Sequence, residues 1–290
     1  MNHLLTTFLL TAAISFAQVD FSGRWSGLYH EDELERTDPG PSVGDYLGFP
    51  INDAARLRGD SWDAGLISVM EHQCIPHPAS YSMRGPANLV ISTQRDSVTQ
   101  QVIAFIIEGT YGRATRTIWM DGRPHPSEYA SHTWAGFSTG IWEGDTLTVE
   151  TTHIKAGYLR RNGIAHSDQV KLIEHFTVHD KYLTVVSIRE DEVYLTEPLI
   201  QTENFAWNPY QPYGGYKCES VPEIVRPTGF VPHHLPGSNQ QLAEFSDLYG
   251  VAKEAARGGA ETMYPEYKKK MKTFQTPKPS IFNNVAGRQK

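Results

Sequence analysis

The chain has little of what several large protein classes are built from. Two cysteines in 290 residues exclude both a disulfide-dense mini-scaffold and a multi-cysteine metal cluster. Beyond Phe16 no stretch is apolar enough to form a bilayer-spanning helix. Charge of one sign is not concentrated anywhere. The 26 Lys and Arg are interspersed among 33 Asp and Glu for a net charge of −7, which gives no support to a nucleic-acid groove or an anionic-membrane patch. There is no glycine-rich phosphate loop, no Gly-x-Ser-x-Gly elbow and no His-Glu-x-x-His pair, and no internal repeat at a fixed period.

What is present favours β structure. Aromatic residues make up 11% of the chain, and 24 Gly with 18 Pro imply many turns. Residues 1–17 read as an export signal: Leu4 to Phe16 is apolar but too short to span, and Ser15-Phe16-Ala17 puts small residues at the cleavage positions, although no Lys or Arg precedes them. Cleavage there leaves Gln18 first and sends the protein to the periplasm or outside the cell. In that oxidising setting Cys74 and Cys218 are expected to pair, closing a loop worth about 5 kcal/mol in the chain-entropy model. The spacing of His72, Cys74 and His77 would also suit a metal, but a disulfide removes the thiolate such a site needs.

The central region, Arg113 to Phe205, organises the chain. Short runs rich in Thr, Val, Ile, Trp and Tyr alternate there with turn signals, as in consecutive antiparallel strands. Strands are expected at Phe21–Gly27, Leu89–Ile91, Gln101–Glu108, Arg113–Met120, His132–Trp142, Thr146–Ile154, Asp168–Val178, Lys181–Arg189 and Val193–Phe205, with Pro198 bending the last one or placing it at an edge. Asn52–Trp62 has helical content with Asn52 as its N-cap, and Gln240–Lys272 favours two short helices broken at Gly258-Gly259. The organisation is then a leader (1–17), a β-rich barrel-like domain (18–237), and a C-terminal helical appendage with a disordered end (238–290).

Six of the twelve histidines lie between His125 and His179. Alternation along Asp168–Val178 puts Glu174 on the same face as Val170, Leu172 and Phe176, hence inward, where a carboxylate is costly unless paired, hydrogen-bonded or protonated. Continuing the parity of Leu147, Val149 and Thr151 turns His153 inward too. His153, His166, Asp168 and Glu174, with His132 nearby, are therefore the candidate cluster. It would serve general acid–base chemistry, or hold a zinc-like ion with an open position, or simply knit loops onto the barrel. Arg160 and Arg161 would clamp an anion at a cavity mouth or stay solvated. Trp119, Trp134 and Trp142 would line a cavity for an aromatic ligand or fill the core.

Two resemblances attach to these residues. Gly23-Arg24-Trp25, early in a β-rich chain, resembles the start of calycin (lipocalin-like) barrels, in which the tryptophan plugs one end. The run 116–126 and the hairpin Gly140 to Thr152, with Trp-Glu-Gly-Asp-Thr-Leu at its turn, look like a large group of secreted bacterial β-rich proteins of uncharacterised function. That likeness covers roughly Phe21 to Asn208. It implies export and a β-rich fold, and it brings no reaction or catalytic residues. The expected architecture is mainly β, a calycin-like antiparallel barrel or strongly curved sheet with a C-terminal helical appendage. The leading function is binding of a small apolar or aromatic molecule. The alternative is an enzyme using the interior cluster for isomerisation, elimination or hydrolysis, with no particular metal or cofactor indicated.

Overall fold

The computed structural model describes residues 19–29, 32–36, 40–63, 70–84, 88–109, 112–212, 217–220 and 225–280. The expected leader lies outside the described residues, as does the end of the appendage.

Nine strands close into a barrel: β1 (Gly23–Gly27), β2 (Leu89–Arg95), β3 (Val102–Gly109), β4 (Arg116–Trp119), β5 (Phe137–Glu143), β6 (Thr146–Thr152), β9 (Lys171–His179), β10 (Tyr182–Glu190) and β11 (Leu199–Trp207). Around the ring the order is β1-β11-β10-β9-β6-β5-β4-β3-β2, and β2 returns to β1. Every adjacency is antiparallel except β4–β5, where Ile118 and Trp119 run parallel to Ser138 and Thr139. The strand expected from His132 therefore begins only at Phe137, and residues 120–136 form the crossover that a parallel pair requires. Between β6 and β9 a separate hairpin, β7 (Gly157–Arg160) and β8 (Ile164–His166), leaves the barrel altogether.

Strand alternation divides the interior into two tiers. At one end Phe21, Trp25, Phe105, Ile118, Leu147, Phe176, Leu183 and Phe205 pack as one apolar cluster, with Phe21 stacked on Phe105 at 4.3 Å. Trp25 is buried here and donates its indole N–H to the Phe21 carbonyl. Further along the same inward rows the residues become polar: Arg116, Ser138, Thr151, Glu174, Ser187, Arg189 and Glu203, all buried. Two one-turn helices, α1 (Glu33–Arg36) and α3 (Ala79–Ser82), cover that polar end. Arg36 donates to the carbonyls of Leu28, Met83 and Arg84, and Arg189 donates to that of Ser80.

A satellite layer packs beside the barrel on Tyr46, Phe49, Ile51, Ala55, Leu159, Ile164, Leu195 and Leu199. Its helix α2 (Asp53–Asp60) starts where expected, with the Asn52 side chain accepting from the Ala55 N–H at 3.0 Å. The C-terminal appendage docks on this layer. It comprises α4 (Glu244–Tyr249), α5 (Lys253–Ala256) and α6 (Pro265–Met271), with two 3₁₀ turns, so Gly250 breaks it as well as Gly258-Gly259. The Tyr46 N–H donates to Ala256 O at 2.8 Å, and Arg257 forms an ion pair with Asp60.

Cys74 and Cys218 are bonded across a separation of 144 residues, tying the segment after β11 to the loop before α3. Replacing both by Ala should cost about 4–5 kcal/mol from the lost constraint on the unfolded chain. Chemical unfolding of the double variant against wild type measures it. Equal midpoints would show that the bridge adds nothing.

Candidate functional site

The inward carboxylate is where strand parity puts it, but its company is different. Glu174 is fully buried and accepts from Arg116 Nη2 at 2.5 Å, while the same nitrogen reaches Thr151 Oγ1 at 2.7 Å and Arg116 Nε donates to Ser138 Oγ at 2.9 Å. Ser187, opposite Glu174 on β10, donates to Glu203, whose carboxylate lies 3.8 Å from both Arg84 and Arg189. Arg84 also pairs with Asp32 at 2.8 Å. Burial pushes the Glu203 carboxyl above its usual range, against the pull of Arg189, Arg84 and Arg36. The polar tier is thus an arginine–carboxylate network without a histidine.

The four residues expected to cluster have separate surroundings. β6 ends at Thr152, and His153 takes a left-handed φ of +57° that resets the alternation. Ile154 takes the buried place, while His153 bonds Thr152 Oγ1 and the Ser127 carbonyl in the crossover. His132, in the crossover, sits beside it with the rings 5.2 Å apart. Asp168 is exposed. His166 alone is buried with Glu174, but in the β7–β8 hairpin, bonded to Ser80 Oγ at 2.7 Å and to Ser167 O at 2.8 Å. Among the described residues no group of three His, Cys, Asp or Glu is placed to hold a metal, and His72, Cys74 and His77 are no exception.

The arginines and tryptophans also separate. Arg160 is buried on Asp45, with Nη2 2.8 Å from its carboxylate, and Arg161 reaches the Arg36 carbonyl at 3.4 Å, so neither stands at a cavity mouth. Trp119 lies on the outer face under the Arg123 guanidinium at 3.5 Å. Trp142 closes the apolar end against Phe21 at 5.9 Å and lines a hollow of about 260 Å³ with Val102, Met120 and Gly140. Of these three tryptophans, Trp134 alone lines the larger opening.

That opening is a cleft of about 350 Å³ on the flank of the barrel. Its walls are Trp62, Met70, Trp134 and Tyr158, its floor includes Gly157, Gly163 and Ala165, and Arg58, Ser61 and His233 add polar atoms. Three segments hold these walls. Tyr158 is fixed by Tyr81 at 4.8 Å and by Trp62 at 6.4 Å. Gly163 has φ +95° and Trp62 Cβ 2.5 Å from where a Cβ would stand, so only glycine lets the hairpin turn lie against that tryptophan. The strap carrying Pro232 and His233 is pinned by the His234 N–H to Ser61 O at 2.9 Å and by His234 to Asp63 at 3.1 Å.

Of these residues, Arg116 had a signal in the sequence, since it shares strand parity with Ile118. Trp62, Tyr158 and Ser80 had none, because loops far apart in sequence bring them together. Comparison with known proteins adds no assignment: no family model, no curated protein and no solved structure matches this chain.

Two outcomes follow from the buried groups. Glu174→Gln leaves the Arg116 guanidinium buried without its counter-charge and should cost about 3 kcal/mol, with much of that recovered in Glu174→Gln/Arg116→Met. Thermal unfolding of both variants tests this, and an unchanged Tm for the single variant would contradict it. Burial also holds His166 down at about 4, against 6.5 for the free side chain. Between those values the unfolded chain binds a proton that the native one refuses, so stability is full above pH 6.5 and falls toward pH 4, by about 3 kcal/mol. His166→Gln should flatten that part of the stability–pH curve, and an identical slope in the variant would remove His166 from the account.

Proposed function

We infer that this chain is an exported barrel protein that binds a small molecule with an aromatic or apolar body, seated in the flank cleft rather than in the lumen. The cleft carries this reading. Its volume, about 350 Å³, lies in the range of small-molecule pockets, and two tryptophans, a tyrosine and a methionine form its walls. Flat, rigid rings offer a planar ligand a large contact area at little conformational cost. Lys155 lies 5.2 Å over the Trp134 ring, and the exposed Arg58 and His233 also line the opening. An aromatic body with one anionic end suits this combination. The inward rows of the barrel, by contrast, are occupied by the protein's own side chains, which makes the barrel the scaffold. Export is supported by the apolar leader and by the disulfide.

With Trp62 and Trp134 in the walls, binding should be visible as quenching of tryptophan fluorescence by 2-naphthoate. Ala156 lines the cleft and is exposed, so Ala156→Phe fills the opening without disturbing the core. The variant should keep its Tm and weaken binding at least tenfold, about 1.4 kcal/mol. Undiminished quenching in a folded Ala156→Phe protein would place the ligand elsewhere.

A further inference from the structure

Behind the cleft wall lies a pair of groups that ligand binding alone does not use. Ser80, in α3, has its Oγ 2.7 Å from His166 Nε2. The other ring nitrogen, Nδ1, is 2.8 Å from the Ser167 carbonyl, which can only accept. Nδ1 therefore carries the proton, and Nε2 presents its lone pair to the Ser80 hydroxyl, the tautomer that a general base requires. Ser167 is itself fixed, since its N–H and Oγ both donate to the buried Asp191, at 2.5 and 2.8 Å. Asp191 and Arg189 are the charged groups that act on the ring.

Three contacts place this pair one residue behind the cleft. The Ala79 N–H donates to the carbonyl of Trp134 at 2.8 Å. The Tyr81 ring packs on Tyr158 at 4.8 Å. Gly157, in the floor, sits opposite His166 in the β7–β8 register, and a Cβ on it would stand 3.1 Å from Nε2. Ser80 and His166 are each only 1% exposed, and Pro78 Cγ is 2.8 Å from that same Cβ position, so a substrate reaches them only past Gly157 and Pro78.

We propose that Ser80 and His166 are a nucleophile–base pair that hydrolyses an ester whose aromatic part is seated in the cleft. The proposal rests on the binding reading above and adds the reaction to it. Ser80 Oγ forms a bond to the acyl carbon as its proton passes to His166 Nε2. The C–O bond to the leaving alcohol breaks, and that oxygen takes the proton from Nε2. Water then attacks the acyl-serine, giving a proton to Nε2. Collapse releases the carboxylic acid, and the proton returns to Ser80 Oγ. Asp191 acts through Ser167 and is a positioning residue. Burial keeps His166 neutral down to about pH 4, so Nε2 holds its lone pair throughout the neutral range, as a weaker base than a free imidazole.

The test uses the full chain, 2-naphthyl acetate as substrate, an alkyl fluorophosphonate as covalent probe, and 2-naphthoate quenching as the separate measure of binding. One equivalent of phosphonate should attach, peptide mapping should find it on Ser80, and 2-naphthoate should slow the reaction. Hydrolysis should rise with pH around 4 and stay level from about 5 to 8. Ser80→Ala should lose about 10³-fold in kcat and keep the quenching. If Ser80→Ala or His166→Gln fails to fold, labelling of the wild-type chain still decides. Intact quenching with no label on Ser80 and no turnover would overturn the catalytic assignment while leaving the binding reading in place. A label on another serine would overturn it too, and absence of both quenching and label would remove both readings.

Discussion

The buried pairing of Arg116 with Glu174 is the constraint around which the barrel is arranged. A guanidinium and a carboxylate removed from water are tolerated only in company, and each has it: beside the ion pair, Ser138 and Thr151 on β5 and β6 accept from the arginine's Nε and Nη2. Ser187 hands the chain of polar contacts from Glu174's strand to Glu203, and Arg84 and Arg189 receive it there. A shift of one residue in β4, β9 or β10 would send a charge outward and an apolar side chain into its place, so the network fixes register as firmly as the aromatic tier does. It also explains the loops. Arg36 and Arg84 bring α1 and α3 down over the polar end, which positions Ser80 and Tyr81 and with them one side of the cleft.

Much of this fold was legible in the residues. All nine barrel strands overlap runs expected from alternating apolar residues bounded by turns, the Asn52 cap was readable from its side chain, and Glu174's burial followed from parity with Leu172 and Phe176. The site was less legible, for identifiable reasons. His153 continued the parity of Val149 and Thr151 on paper, but a left-handed residue ends a strand's alternation, and His153 is that residue. Arg160 and Arg161 read as solvated or ligand-facing because their partners, Asp45 and the Arg36 carbonyl, are more than a hundred residues away. The hairpin β7–β8 is too short and too rich in Gly, Arg and Asn to carry a period. The cleft it helps to build unites residues 58–62, 70, 134, 156–165 and 232–233, and no local pattern signals such a union.

The number of strands has a consequence of its own. Strands that alternate up and down around a closed ring can all be antiparallel only if their number is even. With nine, the directions must repeat once, and the repeat falls between β4 and β5. At that seam a tight hairpin is geometrically impossible, so the chain must travel the height of the wall outside the ring before re-entering. The excursion from Met120 to Gly136 is that detour, and it carries Trp134 to the side of the molecule where β7, β8 and the strap come together. The binding face is in this sense a product of arithmetic: an odd ring needs an external return, and the return supplies a wall.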